Sequence, residues 1–234
     1  RFRNERLYQD LANERDQSMA ANVAKSRFIA VASHDLRQPM HAVNVYLELI
    51  NLDNLPAVEK KSLAKIKSSI TTLNAMFDSL LNISKLDADA MQVNHRVFRL
   101  DDLATTIRDL TEAKAKSKGL IFTVTHADLL VRGDKLLLQQ IISNLVSNAI
   151  QYTENGQVDV RFESEHDCLT IEVSDTGCGI AESEQQHIFN QFYRADKTRA
   201  LHDGLGLGLS IVQRLCNLIG ADIRVISTPE RGTK

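Results

Sequence analysis

The helical first half of the chain is centred on the stretch Phe28-Ile29-Ala30-Val31-Ala32-Ser33-His34-Asp35-Leu36-Arg37-Gln38-Pro39-Met40. Apolar residues continue from it at alternating steps of four and three: Leu36, Met40, Val43, Leu47 and Ile50. This spacing is typical of helices packed in a bundle or coiled coil. His34 lies one position past the apolar seam, where packing supports it and solvent reaches it. With Asp35 beside it as a proton acceptor, its imidazole is a candidate nucleophile or base, although such pairs are also common on ordinary surfaces.

A second helix is predicted from the same spacing farther along the chain. Its apolar residues are Leu63, Ile66, Ile70, Leu73, Phe77 and Leu80, and residues 51–56 form the connection before it. Two such helices make an antiparallel hairpin. Because one hairpin cannot bury both seams, we expect two chains to associate into a four-helix bundle.

Charge and composition exclude some classes of protein. The net charge of −2 over 234 residues gives no strong attraction to nucleic acid or to an anionic membrane. The three cysteines are odd in number and outside any metal-ligand spacing, which predicts packing residues in a reducing compartment. Because no stretch reads as a membrane span or a signal peptide, we expect a membrane attachment only in an upstream region. A start at Arg1 suggests a piece of a longer protein.

The second half has a different architecture, because all ten glycines lie after residue 118. Helices are predicted at 103–117, 134–152 and 206–219. Strands are predicted at 120–125, 157–163, 168–174 and 222–227. Helices on one face of a largely antiparallel sheet form an α+β sandwich. The polar residues 87–97 are the predicted boundary between the two halves.

An asparagine pair is the first chemical signal of the second half. Asn144 and Asn148 lie four residues apart, and therefore on one face of the predicted helix 134–152. Two neutral amide oxygens suit Mg²⁺, which keeps waters and shares the phosphates of a substrate. A pair that only bridges two elements of the fold fits the spacing equally well.

Two glycine-rich loops are the other signals. Asp175-Thr176-Gly177-Cys178-Gly179 follows a predicted strand, and a carboxylate there can accept a hydrogen bond from an exocyclic amine such as that of adenine. Gly204-Leu205-Gly206-Leu207-Gly208 opens a helix whose N-terminus can receive phosphate. Each loop alone is weak, since most such sequences are ordinary turns.

The order and spacing of these motifs resemble the sensor histidine kinases of two-component signalling. The asparagine box runs from Asn144 to Thr153, and the two glycine boxes start at Asp175 and Gly204. The phenylalanine box is Ile188-Phe189-Asn190-Gln191-Phe192-Tyr193-Arg194, and residues 33–39 resemble the histidine box. The resemblance covers the chain from about Ser26 onward. It implies a dimeric helical bundle followed by an ATP-binding α/β sandwich of the type shared with certain chaperone and topoisomerase ATPases.

The resemblance also implies roles for single residues. His34 would be phosphorylated, Asp35 would polarise it, and Gln38 would stand where Thr or Asn often orients a water that dephosphorylates the partner regulator. The implied nucleotide-binding set is Asn144, Asn148, Tyr152, Asp175, Gly177, Gly179, Arg194, Gly204, Gly206 and Gly208. In it, Asn144 and Asn148 hold Mg²⁺, Asp175 reads adenine, and the glycines from Gly204 to Gly208 close a lid over the phosphates.

Three features depart from the family pattern. The acid beside the histidine is commonly Glu and here is Asp35. Gln151 stands where a Lys or Arg often reaches the phosphates, which leaves Arg194, Lys197 or Arg199 as substitutes. The chain stops at Lys234, where the family usually continues into a further strand, so we expect a truncated C-terminus.

The combined prediction is a cytoplasmic, ATP-dependent histidine autokinase. Residues 1–27 are expected to form a signalling helix, residues 28–90 the dimerisation and phosphotransfer hairpin, and residues 98–234 the ATP-binding domain. The expected partners are a second copy of the chain and the receiver domain of a response regulator, with phosphatase activity toward that regulator. The cofactors implied are ATP and Mg²⁺.

Two other classes of protein share parts of this pattern. An ATP-hydrolysing clamp or chaperone of the related superfamily places a catalytic Glu four residues before the metal-binding Asn, where this chain has Asn144, which cannot act as a base. A non-catalytic dimeric scaffold with a decayed ATP site is slightly favoured by Gln151. The presence of Asn148, Asp175 and the glycines opposes it.

Overall fold

The computed structural model describes residues 38–39, 42–43, 45–47, 49–50, 56–87, 91–125, 128–166, 168–194 and 206–234. The chain divides into two compact units, Arg1–Gln92 and Val93–Lys234. Within the described ranges, no helix combines the length and the apolar character needed to cross a bilayer.

The first unit contains the long helix α1, Ala57–Asp87. It begins after Pro56, whose carbonyl accepts the first helical hydrogen bond from Lys60 N at 3.0 Å. Its predicted seam is covered unevenly: Ile70 is buried, whereas Ile66 and Leu73 are 47% and 40% exposed. The described residues between Gln38 and Leu49 are also helical.

The second unit is a layer of helices on a mixed sheet. Its elements in chain order are β1 Arg96–Arg99, α2 Leu100–Ser117, β2 Ile121–Val124, β3 Leu130–Gly133, α3 Lys135–Tyr152, β4 Gln157–Glu165, β5 Cys168–Asp175, α4 Glu182–Gln185, α5 Gly208–Ile219, β6 Ser227–Thr228 and β7 Gly232–Thr233. The main sheet has the order β2-β4-β5-β7-β6, in which only the β2–β4 pair is parallel. Strands β1 and β3 form a separate antiparallel pair.

The core lies between the helices and one face of this sheet. Alternate residues of β4, namely Val158, Val160 and Phe162, are buried, while Arg161 and Glu163 between and beyond them are exposed. They pack in one cluster with buried residues of α2 and α3, which include Leu103, Ile107, Ile142, Val146 and Ile150. Helix α5 packs against α3. The apolar face of the strand, with its two-residue period, therefore packs against the apolar faces of the helices, with their 3.6-residue period, in a single α+β core.

Several predicted boundaries are corrected by the structure. The strand predicted at 222–227 is wrong for residues 222–226, because a strand needs a ladder partner and, in residues 222–228, only Ser227 and Thr228 form a ladder with β7. Ile226 and Lys234 add one reciprocal pair of backbone hydrogen bonds, at 2.9 and 2.7 Å. Strands β1 and β3 were not predicted. Asp134 caps α3 and does not lie inside it.

Candidate functional site

Helix α3 presents the asparagine pair to the start of α5. Asn144 and Asn148 are half-buried on the same face of α3. The Nδ2 of Asn144 donates to Gln140 O at 2.9 Å, and its Oδ1 faces Gly208. A Cβ added to Gly208 would lie 3.4 Å from that oxygen and 3.8 Å from both amide atoms of Asn148. The structure therefore brings the asparagine box and the second glycine box together.

The N-terminus of α5 contacts the phenylalanine box. Gly206 has a φ of 70°, and a Cβ there would collide with Tyr193 O. The amide of Phe192, itself at a φ of 61°, donates to Gly206 O at 3.0 Å. Leu207, the N-cap residue of α5, makes no side-chain capping hydrogen bond. The first N–H groups of α5 are therefore suited to an anionic ligand.

The first glycine box packs on the C-terminus of α3. Asp175 ends β5, and its Oδ1 accepts a hydrogen bond from Gly177 N at 2.8 Å. A Cβ on Gly177 would collide with Tyr152 O, and Cys178 N donates to the same carbonyl at 3.3 Å. Gly179, at a φ of 64°, passes against Thr228 O in the same way. Only glycine permits these close approaches.

Burial sets the protonation behaviour of this region. It raises the pKa of the Asp175 carboxyl above its ordinary value, while hydrogen bonds from the Gly177 and Thr233 N–H groups act in the opposite direction. Burial also raises the pKa of the Tyr152 phenol, partly offset by the positive charge of Arg194. The phenol of Tyr152 is thus neutral at physiological pH, and the Asp175 carboxyl takes up a proton more readily than an ordinary aspartate does.

Two residues that support the site were not predicted. The ammonium of Lys118, which follows α2, donates to the carbonyls of Ile150, Gln151 and Thr153 at 2.8, 2.9 and 3.3 Å. Asp134 accepts hydrogen bonds at the other end of α3. An N-cap Asp before an apolar helix is a recognised sequence signal. Lys118 carried no signal, because its partners lie 32 to 35 residues along the chain.

The remaining predicted residues divide between the two units and the undescribed ranges. Gln38 is helical and exposed in the first unit, and Arg194 is half-buried in the second. His34, Asp35 and Gly204 lie outside the described residues. So do Lys197 and Arg199, the other two cations considered as substitutes for the charge missing at Gln151.

Comparison with protein families gives two matches. Residues 24–89 match the His Kinase A (phospho-acceptor) domain, and residues 133–234 match the Histidine kinase-, DNA gyrase B-, and HSP90-like ATPase. The chain is 37% identical over 233 residues to the signal transduction histidine-protein kinase BarA of Escherichia coli (strain K12). It is 32% identical over 234 residues to the sensor protein GacS of Pseudomonas syringae pv. syringae. The alignments cover 96% of this chain, but only 25% and 26% of those proteins, so the chain spans about a quarter of their length.

Solved structures agree with these matches. Full-length ShkA, crystallised in complex with AMPPNP, is 26% identical and has a TM-score of 0.71, over 88% of this chain and 43% of that one. The nucleotide-free catalytic domain of the histidine kinase ThkA is 28% identical with a TM-score of 0.52, over 60% of this chain and 91% of that one.

Proposed function

The chain belongs to the sensor histidine kinases of two-component signalling, and we propose that it transfers the γ-phosphoryl group of ATP to His34 and then to an aspartate of a response regulator. The observation that carries the proposal is the approach of Gly208 to the amides of Asn144 and Asn148. It supports the proposal because two neutral amide side chains lie beside a helix N-terminus, and a polyphosphate bound with a divalent cation needs oxygen ligands and free N–H groups.

Adenine is proposed to lie between the C-terminus of α3 and the first glycine box. Asp175 accepts the hydrogen bond of the exocyclic amine, and Tyr152 lines the ring. Gly177 keeps the loop close to the Tyr152 carbonyl at the end of α3, and Gly179 keeps it close to the Thr228 carbonyl in β6. The triphosphate then extends toward α5, with Arg194 as the nearby cation in the described part of the second unit.

Mg²⁺ fits the donor set of Asn144 and Asn148. Both side chains offer neutral amide oxygens, and the Oδ1 of Asn144 faces the α5 terminus while its Nδ2 is engaged with Gln140 O. When bound, the ion supplies charge neutralisation for the transferred phosphoryl group. The asparagines orient the ligand, and the glycine at 208 leaves room for it.

The chemistry at the histidine is an in-line substitution. A ring nitrogen of His34 forms a bond to the γ-phosphorus as the bond from phosphorus to the bridging oxygen breaks, and ADP leaves with that electron pair. Asp35 accepts the proton of the imidazole. The P–N bond then breaks as a carboxylate oxygen of the regulator takes the phosphoryl group, which restores His34.

Two finer roles complete the proposal. The chain acts as a homodimer in the cytoplasm, where ATP and the receiver domain of the regulator are available. It is also bifunctional: Gln38, which is exposed and lies four residues after His34 in the sequence, orients a water that hydrolyses the phosphorylated regulator. The amide of Gln38 can both donate to and accept from that water.

The test is labelling with ATP that carries radioactive phosphorus at the γ position. Wild type should form acid-labile, base-stable phosphoprotein, and His34→Gln should form none while binding ADP as tightly as wild type. His41→Gln, which changes a histidine one heptad on, is the matched control and should label normally. Label retained in His34→Gln would identify a different phosphoacceptor. Release of inorganic phosphate without any labelled protein would favour an ATP-hydrolysing clamp, and failure to bind ADP would favour a scaffold.

A further inference from the structure

The carboxylate of Asp134 accepts hydrogen bonds from two separate parts of the second unit. Its Oδ1 accepts from Leu136 N and Leu137 N at 3.0 and 3.1 Å, which caps the first turn of α3. Its Oδ2 accepts from Asn94 N at 2.9 Å, 40 residues earlier in the chain. The side chain is 9% exposed, so water competes little for these bonds.

The second bond is not needed to cap the helix. Asn or Ser at an N-cap performs that task with one oxygen, so a cap by itself does not require a carboxylate. At this position the second oxygen is occupied by the backbone of residue 94, two residues before β1. Residue 94 lies at the start of the second unit, in the segment after α1 that leads into β1, which is called the linker below.

We propose that Asp134 is a positioning residue that fastens this linker to the asparagine-bearing helix. The inference rests on the function proposed above. Asn144 and Asn148 lie ten and fourteen residues after Asp134 on the same rigid helix. The carboxylate therefore ties the point where the linker joins the second unit to the element that carries the Mg²⁺ ligands. This bond restricts the orientations that the ATP site samples relative to the linker, and fewer unproductive orientations speed phosphoryl transfer to His34.

The bond can be removed without removing the cap. In Asp134→Asn the remaining Oδ1 still accepts from Leu136 and Leu137, whereas Nδ2 now faces the N–H of Asn94, donor against donor. Asp134→Ser also caps the helix but is too short to reach residue 94. Asp128→Asn removes the same charge from an exposed side chain of this unit and is the matched control. Asn94→Ala keeps the backbone N–H and should behave as wild type.

The experiment measures the initial rate of His34 labelling in the full chain against ATP concentration, together with ADP affinity by calorimetry. For Asp134→Asn and Asp134→Ser we expect kcat to fall by about three- to ten-fold while KM and the ADP Kd stay at wild-type values. Amide exchange should show lost protection at residue 94 and retained protection at Leu136 and Leu137. Asp128→Asn and Asn94→Ala should match wild type in every readout.

Three results would overturn the inference. An unchanged kcat despite lost protection at residue 94 would show that the bond does not assist transfer. A parallel rise in KM and in the ADP Kd would show that Asp134 only maintains the nucleotide site. Absence of label in the wild-type protein would contradict the proposed function, and this inference with it. That result is distinct from the first two because it is seen in wild type alone, without any variant.

Discussion

Three glycines shape the proposed nucleotide site, because a side chain at any of them would crowd a neighbouring segment. A β-carbon on Gly177 would collide with Tyr152 O, one on Gly206 with Tyr193 O, and one on Gly208 would crowd Asn144 Oδ1. Each missing side chain lets backbone pack where a ligand or another segment must approach closely. Asp175, Asn144 and Asn148, the residues proposed to contact the nucleotide, lie beside these glycines.

The pH dependence of adenine binding is the first residue-scale prediction. Burial raises the pKa of Asp175, so its carboxyl protonates at a higher pH than an ordinary aspartate does. Binding through the exocyclic amine favours the ionised carboxylate, so ADP affinity should fall as the pH decreases through that raised pKa. Calorimetric titrations at a series of decreasing pH values should show this fall in wild type.

Asp175→Asn separates this effect from the titration of ADP itself. The phosphates of ADP lose charge equally with either protein, so the difference between the two pH profiles belongs to Asp175. The variant should bind ADP more weakly at neutral pH and show a flatter profile. Identical profiles would mean that Asp175 does not contact the base.

Gln38 carries the second residue-scale prediction. Gln38→Ala should leave His34 labelling and phosphotransfer intact, because the exposed Gln38 belongs to the first unit, whereas the proposed nucleotide-binding residues belong to the second. Loss of label from the purified phosphorylated regulator should become slower, since no amide then orients the attacking water. Equal regulator half-lives with wild type and variant would remove Gln38 from the phosphatase reaction.

At the scale of elements, α3 is held at both ends by charged side chains of the expected sign. Asp134 accepts the N–H groups of the first turn, and Lys118 donates to carbonyls at the last turn. Negative charge at a helix N-terminus and positive charge at a C-terminus both interact favourably with the helix dipole and stabilise the helix. The helix that bears Asn144, Asn148 and Tyr152 is therefore fixed in register against its neighbours.

Replacing Lys118 should destabilise the C-terminus of α3, where adenine is proposed to bind. Lys118→Met removes the charge-assisted bonds to Ile150, Gln151 and Thr153, and should lower the free energy of unfolding by about 1 kcal/mol. ADP affinity should fall as well, because the adjacent Tyr152 carbonyl anchors the first glycine box through Cys178 N. Urea denaturation and calorimetry measure the two effects.

Lys116→Met is the control for that substitution. Lys116 lies two residues earlier and pairs only with Glu112 on its own helix among the ion pairs of the described residues, with 71% of its side chain exposed. Its replacement should change stability less and leave ADP affinity unaltered. Equal losses in both variants would attribute the effect to α2 and not to the C-terminus of α3.

For the whole molecule, the apolar surface of α1 favours a dimer. Ile66 and Leu73 lie one heptad apart on the predicted seam and remain 47% and 40% exposed in the described chain. Val58 is 78% exposed. A helix with apolar residues open along its length buries them when a second copy packs against it.

Charge on that seam should therefore produce monomers. Ile66→Glu combined with Leu73→Glu should shift the mass measured by light scattering from that of two chains to that of one, because the paired seams cannot bury carboxylates. Lys60→Glu combined with Lys67→Glu, also one heptad apart but at exposed polar positions, should remain dimeric. A dimer that persists in the first variant would mean that another surface joins the chains.

The sequence by itself determined the features that depend on local geometry. Helical periodicity predicted α1, α2, α3 and α5, and the four-residue spacing alone put Asn144 and Asn148 on one face. The order of the motifs along the sequence indicated the family. These features are local because a helix closes its hydrogen bonds within four residues, so a short window of sequence contains what determines it.

Only the tertiary structure decided which distant segments meet. Strands β1 and β3 escaped prediction because each has four residues and pairs with residues 31 to 37 positions away. Residues 222–226, in contrast, alternate like a strand but lack a ladder. The contacts of Lys118 with the end of α3 and of Asp134 with Asn94 span 32 to 40 residues. Such pairings arise from the packing of the whole core, and no local periodicity of sequence encodes the partner of a single side chain.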